Sequence, residues 1–336
     1  VLVVVDVDRW DGSAPGAASR ADGFPAWGAG LGDADRSVTV LVGVAAAPRV
    51  PAVPLDVFDV VLTDATAWPS GAPAPLVAVD DVDAALDQLE RATARCPVAA
   101  AVAAQVLRRM PSPSVADDLL VESLAYASLQ AGTEHRRWLA GTPRPPYRPS
   151  AGPPVRLART GEQLTVVLDR PEVRNAVDAA TRDGLCEAFE LVAADPTITD
   201  VRLRGSGPAF SSGGDLGEFG TGPDPASCHL LRQQRPAARL LAAVADRVTA
   251  EVHGVCVGAG LELAAAAGTV VADPAARFRL PELAMGLLPG AGGTATVPRR
   301  IGRHRTAWLV LSGRWLPADT ALAWGLVDEV RPVGPA

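Results

Sequence analysis

A chain of 336 residues, 48% hydrophobic and 21% charged, has the make-up of a soluble globular protein, long enough for one large domain or two average ones. Its net charge of -7 argues against a nucleic-acid-binding face, so an anionic ligand has to be held by local groups. All 31 basic side chains are arginine, which removes any lysine nucleophile or Schiff base from consideration.

The opening VLVVVDVDRW reads as a buried strand; it is too short, and too acidic at Asp6 and Asp8, for a signal peptide or a membrane span. SVTVLVGVA (37–45) and FDVVLTDA (58–65) read as two more strands. A helical block from about Val82 to Leu139 follows, with VDAALDQLERA, CPVAAAVAAQVLRRM and DDLLVESLAYASLQAG as its segments. GTPRPPYRPSAGPP (141–154) sustains neither helix nor ladder and places a domain boundary near residue 150. Cys96, Cys186, Cys228 and Cys256 have no CxxC spacing and no His partners nearby. That pattern argues against a zinc site or a disulfide framework and fits a reducing cytoplasm.

Beyond the boundary, QLTVVLDR (163–170) is a predicted strand, NAVDAATRDGLCEAFELVAAD (175–195) a helix and TDVRLRGSG (199–207) a strand. A Gly/Ser loop, a helix around LLRQQRPAARLLAAVAD and a strand VTAEVHGV (248–255) come next. The alternation is that of an α/β fold with crossovers. SVTVLVGVAAAPRVPAVPLDVFDVVLTDA faintly echoes RVTAEVHGVCVGAGLELAAAAGTVVADPA, both running strand, small-residue turn, apolar segment, strand, Asp. The first copy has Pro48, Pro51 and Pro54 where the second has Gly258 and Gly260, and it has no acid at the place of Glu262. A repeat would therefore be inert; two unrelated Val-rich stretches would read alike.

Three segments of the second half carry chemistry. In GPAFSSGGDLGEFG (207–220), Gly213 and Gly214 let backbone N–H groups approach a ligand, although a bare Gly/Ser loop is more often a surface turn. At Gly258, Ala259 and Gly260 a strand hands over to a helix, whose free N–H groups form an oxyanion or anion site by geometry. Glu262 falls in the first turn of that helix. A residue there can simply match the helix dipole, but its Ala- and Leu-rich surroundings count against a solvated face. In RLPELAMGLLPGAGGTATVPRRIG (279–302), Glu282 is a second isolated acid followed by a second Gly-rich run. Two such acids imply two carboxylates converging on one pocket.

These segments resemble the enoyl-CoA hydratase/isomerase, or crotonase, superfamily. The resemblance covers residues 151 to about 331 in order: LDRPEVRNAVD, AFSSGGDL, VHGVCVGAGLELA, LPELAMGLLPGAGGT and GRWLPADTALAWGLVDEV. It implies an α/β fold with a crotonase-like ββα spiral core (151–336). It implies an oxyanion hole from the Gly214 and Ala259 N–H groups, gripping the thioester carbonyl of an acyl-CoA. Glu262 would activate water for attack at the β-carbon and Glu282 would protonate the α-carbon of a 2-enoyl-CoA, with no metal and no cofactor beyond coenzyme A as the substrate's carrier. The coenzyme would be held by the turn Arg174 to Ala176 and by Ser212 and Asp215. Glu172 stands where a lysine is common, so Arg174 or Arg170 would supply the charge, and Gly268 stands where an Asp is frequent. Isomerisation, thioester hydrolysis, decarboxylation or a non-catalytic partner subunit are the alternatives. The resemblance also implies a homo-oligomer, trimer or hexamer.

Members of that family continue past the GLVDEV strand with a helical tail, and this chain stops at Ala336. Residues 80–110, with ESLAYASLQAGTEHRRWLAG after them, resemble that tail. Residues 1–150 thus look like a degenerate crotonase copy that kept its helices, a helical module able to cover the active half of the same chain or of a neighbour.

Overall fold

The structure, a computed structural model, describes residues 2–8, 38–45, 50–51, 53–68 and 71–336. Pro48 and the end of the first predicted strand, from residue 9 on, lie outside the described residues. Four strands open the chain: β1 (Leu2–Asp6), β2 (Val40–Ala45), β3 (Val60–Asp64) and β4 (Val77–Val79), paired in that order and all parallel. Their valine-rich runs are those of a sheet covered on both faces. One face joins the main core, and the other closes a small cluster around Phe58, Val61 and Leu76.

Four helices follow: α1 (Val82–Arg95), α2 (Pro97–Leu107), α3 (Val115–Gln130) and α4 (Thr133–Gly141). Asp81 caps α1 by accepting from the Ala84 N–H (2.9 Å), and Ser114 caps α3 by accepting from the Asp117 N–H (3.1 Å). The Pro-rich segment after α4 forms no helix or strand, but it is fastened. The Tyr147 hydroxyl donates to Asp178 (3.2 Å), and the Arg148 carbonyl accepts from Arg170 (2.8 Å).

The second half contains β5 (Val155–Thr160), β6 (Gln163–Leu168), α5 (Ala179–Ala194), β7 (Asp200–Gly205), α6 (Pro225–Gln234), α7 (Ala237–Ala243) and β8 (Val248–Val252). It continues with β9 (Val255–Val257), α8 (Ala259–Ala266), β10 (Thr269–Ala272), β11 (Arg277–Arg279), α9 (Gly293–Ser312), β12 (Leu316–Pro317), α10 (Ala318–Trp324) and β13 (Glu329–Val330). The larger sheet has the order β13-β10-β8-β7-β6-β5, parallel except for β5 against β6, and a smaller one has the order β12-β11-β9. This is the α/β spiral expected, with β8 and β10 in the larger sheet each followed by a strand, β9 and β11, in the smaller one.

Two predicted elements are divided. The strand expected over 248–255 breaks at Gly254, whose positive φ of 58° turns the chain from one sheet into the other. The helix expected around LLRQQRPAARLLAAVAD breaks at Pro236, because the residue before a proline is driven out of helical conformation; Arg235 has φ -123° and ψ 68°.

Helix α9 joins the halves. His304 is 5% exposed, with Nε2 3.1 Å from the Leu55 carbonyl. Arg305 donates to the Ala72 carbonyl (2.8 Å), Gln88 to the Ser312 carbonyl (2.7 Å), and Arg299 pairs with Asp118 (2.7 Å). One continuous apolar core runs from the first sheet through α2 and α9 into the second half.

Candidate active site

The two Gly-rich segments meet edge to edge. Ser211 and Val257 exchange ladder bonds with each other's strand, the Ser211 N–H to the Val255 carbonyl (3.2 Å) and the Val257 N–H to the Ser211 carbonyl (3.0 Å). A Cβ on Gly213 would lie 3.0 Å from the Val257 carbonyl oxygen, so the approach requires glycine, as does the φ of 95° there. On the other edge, the Val177 N–H donates to the Gly213 carbonyl (2.8 Å) and the Asp215 N–H to the Val177 carbonyl (2.9 Å). Alternate amides of an extended segment point to opposite sides, so the Gly214 N–H faces away from Val177. Ala259 is the first residue of α8, and its N–H has no intrahelical acceptor. Neither N–H has an acceptor among the described residues, and both residues line a cavity of about 610 Å³.

Glu262 and Glu282 line the same cavity. Glu262 is 2% exposed, and one oxygen, Oε2, accepts from both the Ala291 and the Gly293 N–H (2.7 Å each). Burial pushes its carboxyl up to about 7, against the pull of those two amides. Glu282 opens a short 3₁₀ turn, Glu282–Met285, and its Oε2 is buried without a hydrogen-bond partner. Burial first, and then the Glu262 charge, hold it well above the usual carboxylate range. The two acids are thus unequal: Glu262 is stabilised as an anion by two amides, while Glu282 is disposed to keep its proton.

A third carboxylate comes from the first half. Glu122 of α3, 2% exposed, accepts from the Gly292 N–H (2.7 Å), the Thr294 N–H (2.8 Å) and the Thr294 hydroxyl (2.7 Å). Successive amides from 291 to 294 therefore serve Glu262 and Glu122 by turns, at the N-terminus of α9, where the helix dipole favours negative charge. Burial and the Glu262 charge push Glu122 up to about 8. Sequence reasoning missed it, although the signal used for Glu262 was present: one acid ahead of an uncharged run, ESLAYASLQ. Tyr126, one turn on, covers Gly290, where a Cβ would come within 2.2 Å of its ring.

The residues expected to hold coenzyme A are only partly brought together. Asp215 lines the cavity, but its carboxylate is taken by Arg170 (2.9 Å) and the Gly217 N–H (2.9 Å). Arg170, offered as a phosphate ligand, is 1% exposed and paired with Asp178 (3.1 Å) and Asp215, so it braces the turn instead. Arg174, Ala176 and Ser212 lie on the adjoining turn and loop, outside the cavity lining. There the Ser212 N–H donates to the Arg174 carbonyl (2.9 Å), and the Ala176 carbonyl accepts from Arg170 (2.7 Å). Arg174 keeps an exposed side chain at φ 54°.

Residues 161–334 match the sequence model of the enoyl-CoA hydratase/isomerase family. The chain is 36% identical over 176 residues to 2,3-dehydroadipyl-CoA hydratase of Escherichia coli, an alignment spanning 52% of this chain and 68% of that one. It is 36% identical over 171 residues to 1,2-epoxyphenylacetyl-CoA isomerase of the same organism, spanning 50% and 65%. Among solved structures it is similar to an enoyl-CoA hydratase from Thermoplasma volcanium, at 34% identity and a TM-score of 0.50, covering 54% of this chain and 72% of that one. The matched part thus spans about two thirds of the length of these curated relatives.

Proposed function

The chain belongs to the enoyl-CoA hydratase/isomerase family, and from that premise we propose that it adds water reversibly across the double bond of a 2-enoyl-CoA. The observation that carries this reading is the pairing of two acceptor-free N–H groups, Gly214 and Ala259, with two unequal carboxylates in one cavity, Glu262 buried and Glu282 partly buried. The thioester oxygen accepts from both amides, which stabilise the charge that grows there as the β-carbon is attacked; such donors contribute roughly 10²–10³ in rate apiece. Glu262 takes the proton of the attacking water and Glu282 delivers one to the α-carbon, the assignment that the order of their proton affinities favours. Dehydration runs through the same pair in reverse.

Glu262→Gln and Glu282→Gln test the assignment with crotonyl-CoA, followed by loss of the conjugated-thioester absorbance. Each is expected to lower kcat by roughly 10²–10⁴. Full hydration by Glu282→Gln would overturn the two-acid mechanism in favour of single-acid chemistry such as isomerisation.

Coenzyme A is read as leaving the site past the turn at Arg174 to Ala176 and Ser212, with Arg174 as its exposed cation. Residues 1–150 are read as a degenerate copy of the second half, residues 151–336. The support is that β1, β2, β3 and β4 pair in parallel like β7, β8, β10 and β13, and that the helices α1 to α4 after them lie over α9 and the cavity. A homo-oligomer, trimer or hexamer, goes with the same reading, and light scattering of the purified chain checks it.

A further inference from the structure

Helices α3 and α6 pack together and both line the cavity, and the pair is joined by a cation. Arg232 of α6 donates from Nε to the Ser123 hydroxyl (2.9 Å), from Nη1 to Gln130 Oε1 (3.2 Å) and from Nη2 to the Ser123 carbonyl (3.2 Å). Its guanidinium lies 4.8 Å from the centre of the Tyr126 ring, and Ser123 Oγ is 2.9 Å from His229 Nδ1. The groups that Arg232 itself meets, Ser123, Gln130 and the Tyr126 ring, are uncharged side chains or carbonyls. Among the described residues no carboxylate pairs with Arg232, and one hydrogen on each terminal nitrogen has no acceptor. Half-buried charges are ordinarily paired, because desolvation makes an unpaired one costly. Here the guanidinium lines the cavity, and Glu122, whose oxygens are taken by the Gly292 and Thr294 donors, acts on it only through space.

We propose that Arg232 receives a carboxylate at the far end of the acyl group, so that this site takes dicarboxylic acyl-CoA thioesters in preference to those ending in methyl. The proposal rests on the acyl-CoA reading above and deepens it. Direction follows from the fixed points: the thioester carbonyl lies at Gly214 and Ala259, and the β-carbon faces Glu262 and Glu282. Atoms further along the acyl chain pass the loop at Gly290 to Gly292. That loop is covered by Tyr126 and held by Glu122, which flank Ser123, the residue Arg232 grips. A guanidinium fork suits a carboxylate in two parallel hydrogen bonds. A phosphate of coenzyme A is the other anion such a fork could take, and the test separates the two.

Calorimetric titration of the full chain with length-matched saturated thioesters, pentanoyl- against glutaryl-CoA and hexanoyl- against adipyl-CoA, reads the preference without turnover. At least one dicarboxylic member is expected to bind about tenfold or more tighter than its methyl-ended mate, with the ratio falling to about one in Arg232→Gln. Arg232→Met, which keeps the stem against Tyr126, gives the same reading if the Gln variant does not fold. Equal affinities within both pairs for the unaltered chain overturn the proposal. So does a variant that weakens all four thioesters and free coenzyme A by one common factor, since that marks a phosphate contact. Failure to hydrate any enoyl-CoA sinks the hydration reading but leaves this ratio standing.

Discussion

Glu122 and Glu262 share one loop, and their protons make that sharing measurable. A carboxyl whose folded pKa is raised binds its proton more tightly in the folded chain. Its contribution is full below the ordinary range near 4.5 and is lost as pH rises through about 8 for Glu122. Glu122→Gln cannot ionise, and its amide sets a donor against N–H groups. We predict a loss of about 1–3 kcal/mol at about pH 5 and a flatter fall of Tm between about pH 5 and about pH 9, read by thermal melts. Activity has the opposite acid-side sign. Glu262 must be ionised to accept the water proton, so kcat/KM for hydration should fall as pH drops through about 7, the raised value that burial gives it. That Glu262, Glu282, Gly214 and Ala259 meet around one cavity was legible in the sequence, because each lies near a glycine-rich turn that fixes the local backbone. Glu122 and Arg232 were not: their meaning depends on which helix lies across from them, and no local pattern records that.

Elements were legible where a valine run or helical spacing marks them, as in β1, β2, β3 and the helical block from Val82, while β4, three residues long, left too short a pattern to read. They were misread where one conformational choice redirects the chain without changing its hydrophobic period. Gly254 is such a case, since VTAEVHGV reads as one strand whether or not it changes sheets. Gly258 is the corresponding joint between β9 and α8, at φ 48° and ψ -123°, a conformation that side chains resist. A Cβ there would also come within 2.5 Å of Glu282 Oε1. Gly258→Ala is therefore expected to cost about 1–3 kcal/mol of stability from backbone strain and to reduce hydration more than substrate binding. The check is kcat against KM. A variant with unchanged kcat would show that Glu282 does not need this backbone.

At the scale of the whole chain, the Pro-rich segment at 141–154 was legible as a stretch without lasting helix or ladder, but the continuity of the core across it was not. Composition locates a linker; it does not say whether the parts it joins bury each other's surface. Removing residues 1–150 strips α3 from the cavity, leaves the Gly292 and Thr294 amides without Glu122, and bares the apolar face of α9. An insoluble or inactive fragment is the expected outcome in expression and hydration assays, and a fully active one would show that the second half closes its own site. The link between Glu122 and Gly292 also spans 170 positions of sequence. Contacts of that separation slow folding, because a long loop must be closed before they can form. On a ribosome adding about 5–20 residues per second, Glu122 emerges roughly 10–35 s before the loop that receives it. During that interval the faces of α1 to α3 that will meet α9 are without that partner, apolar surface of the kind that chaperones cover.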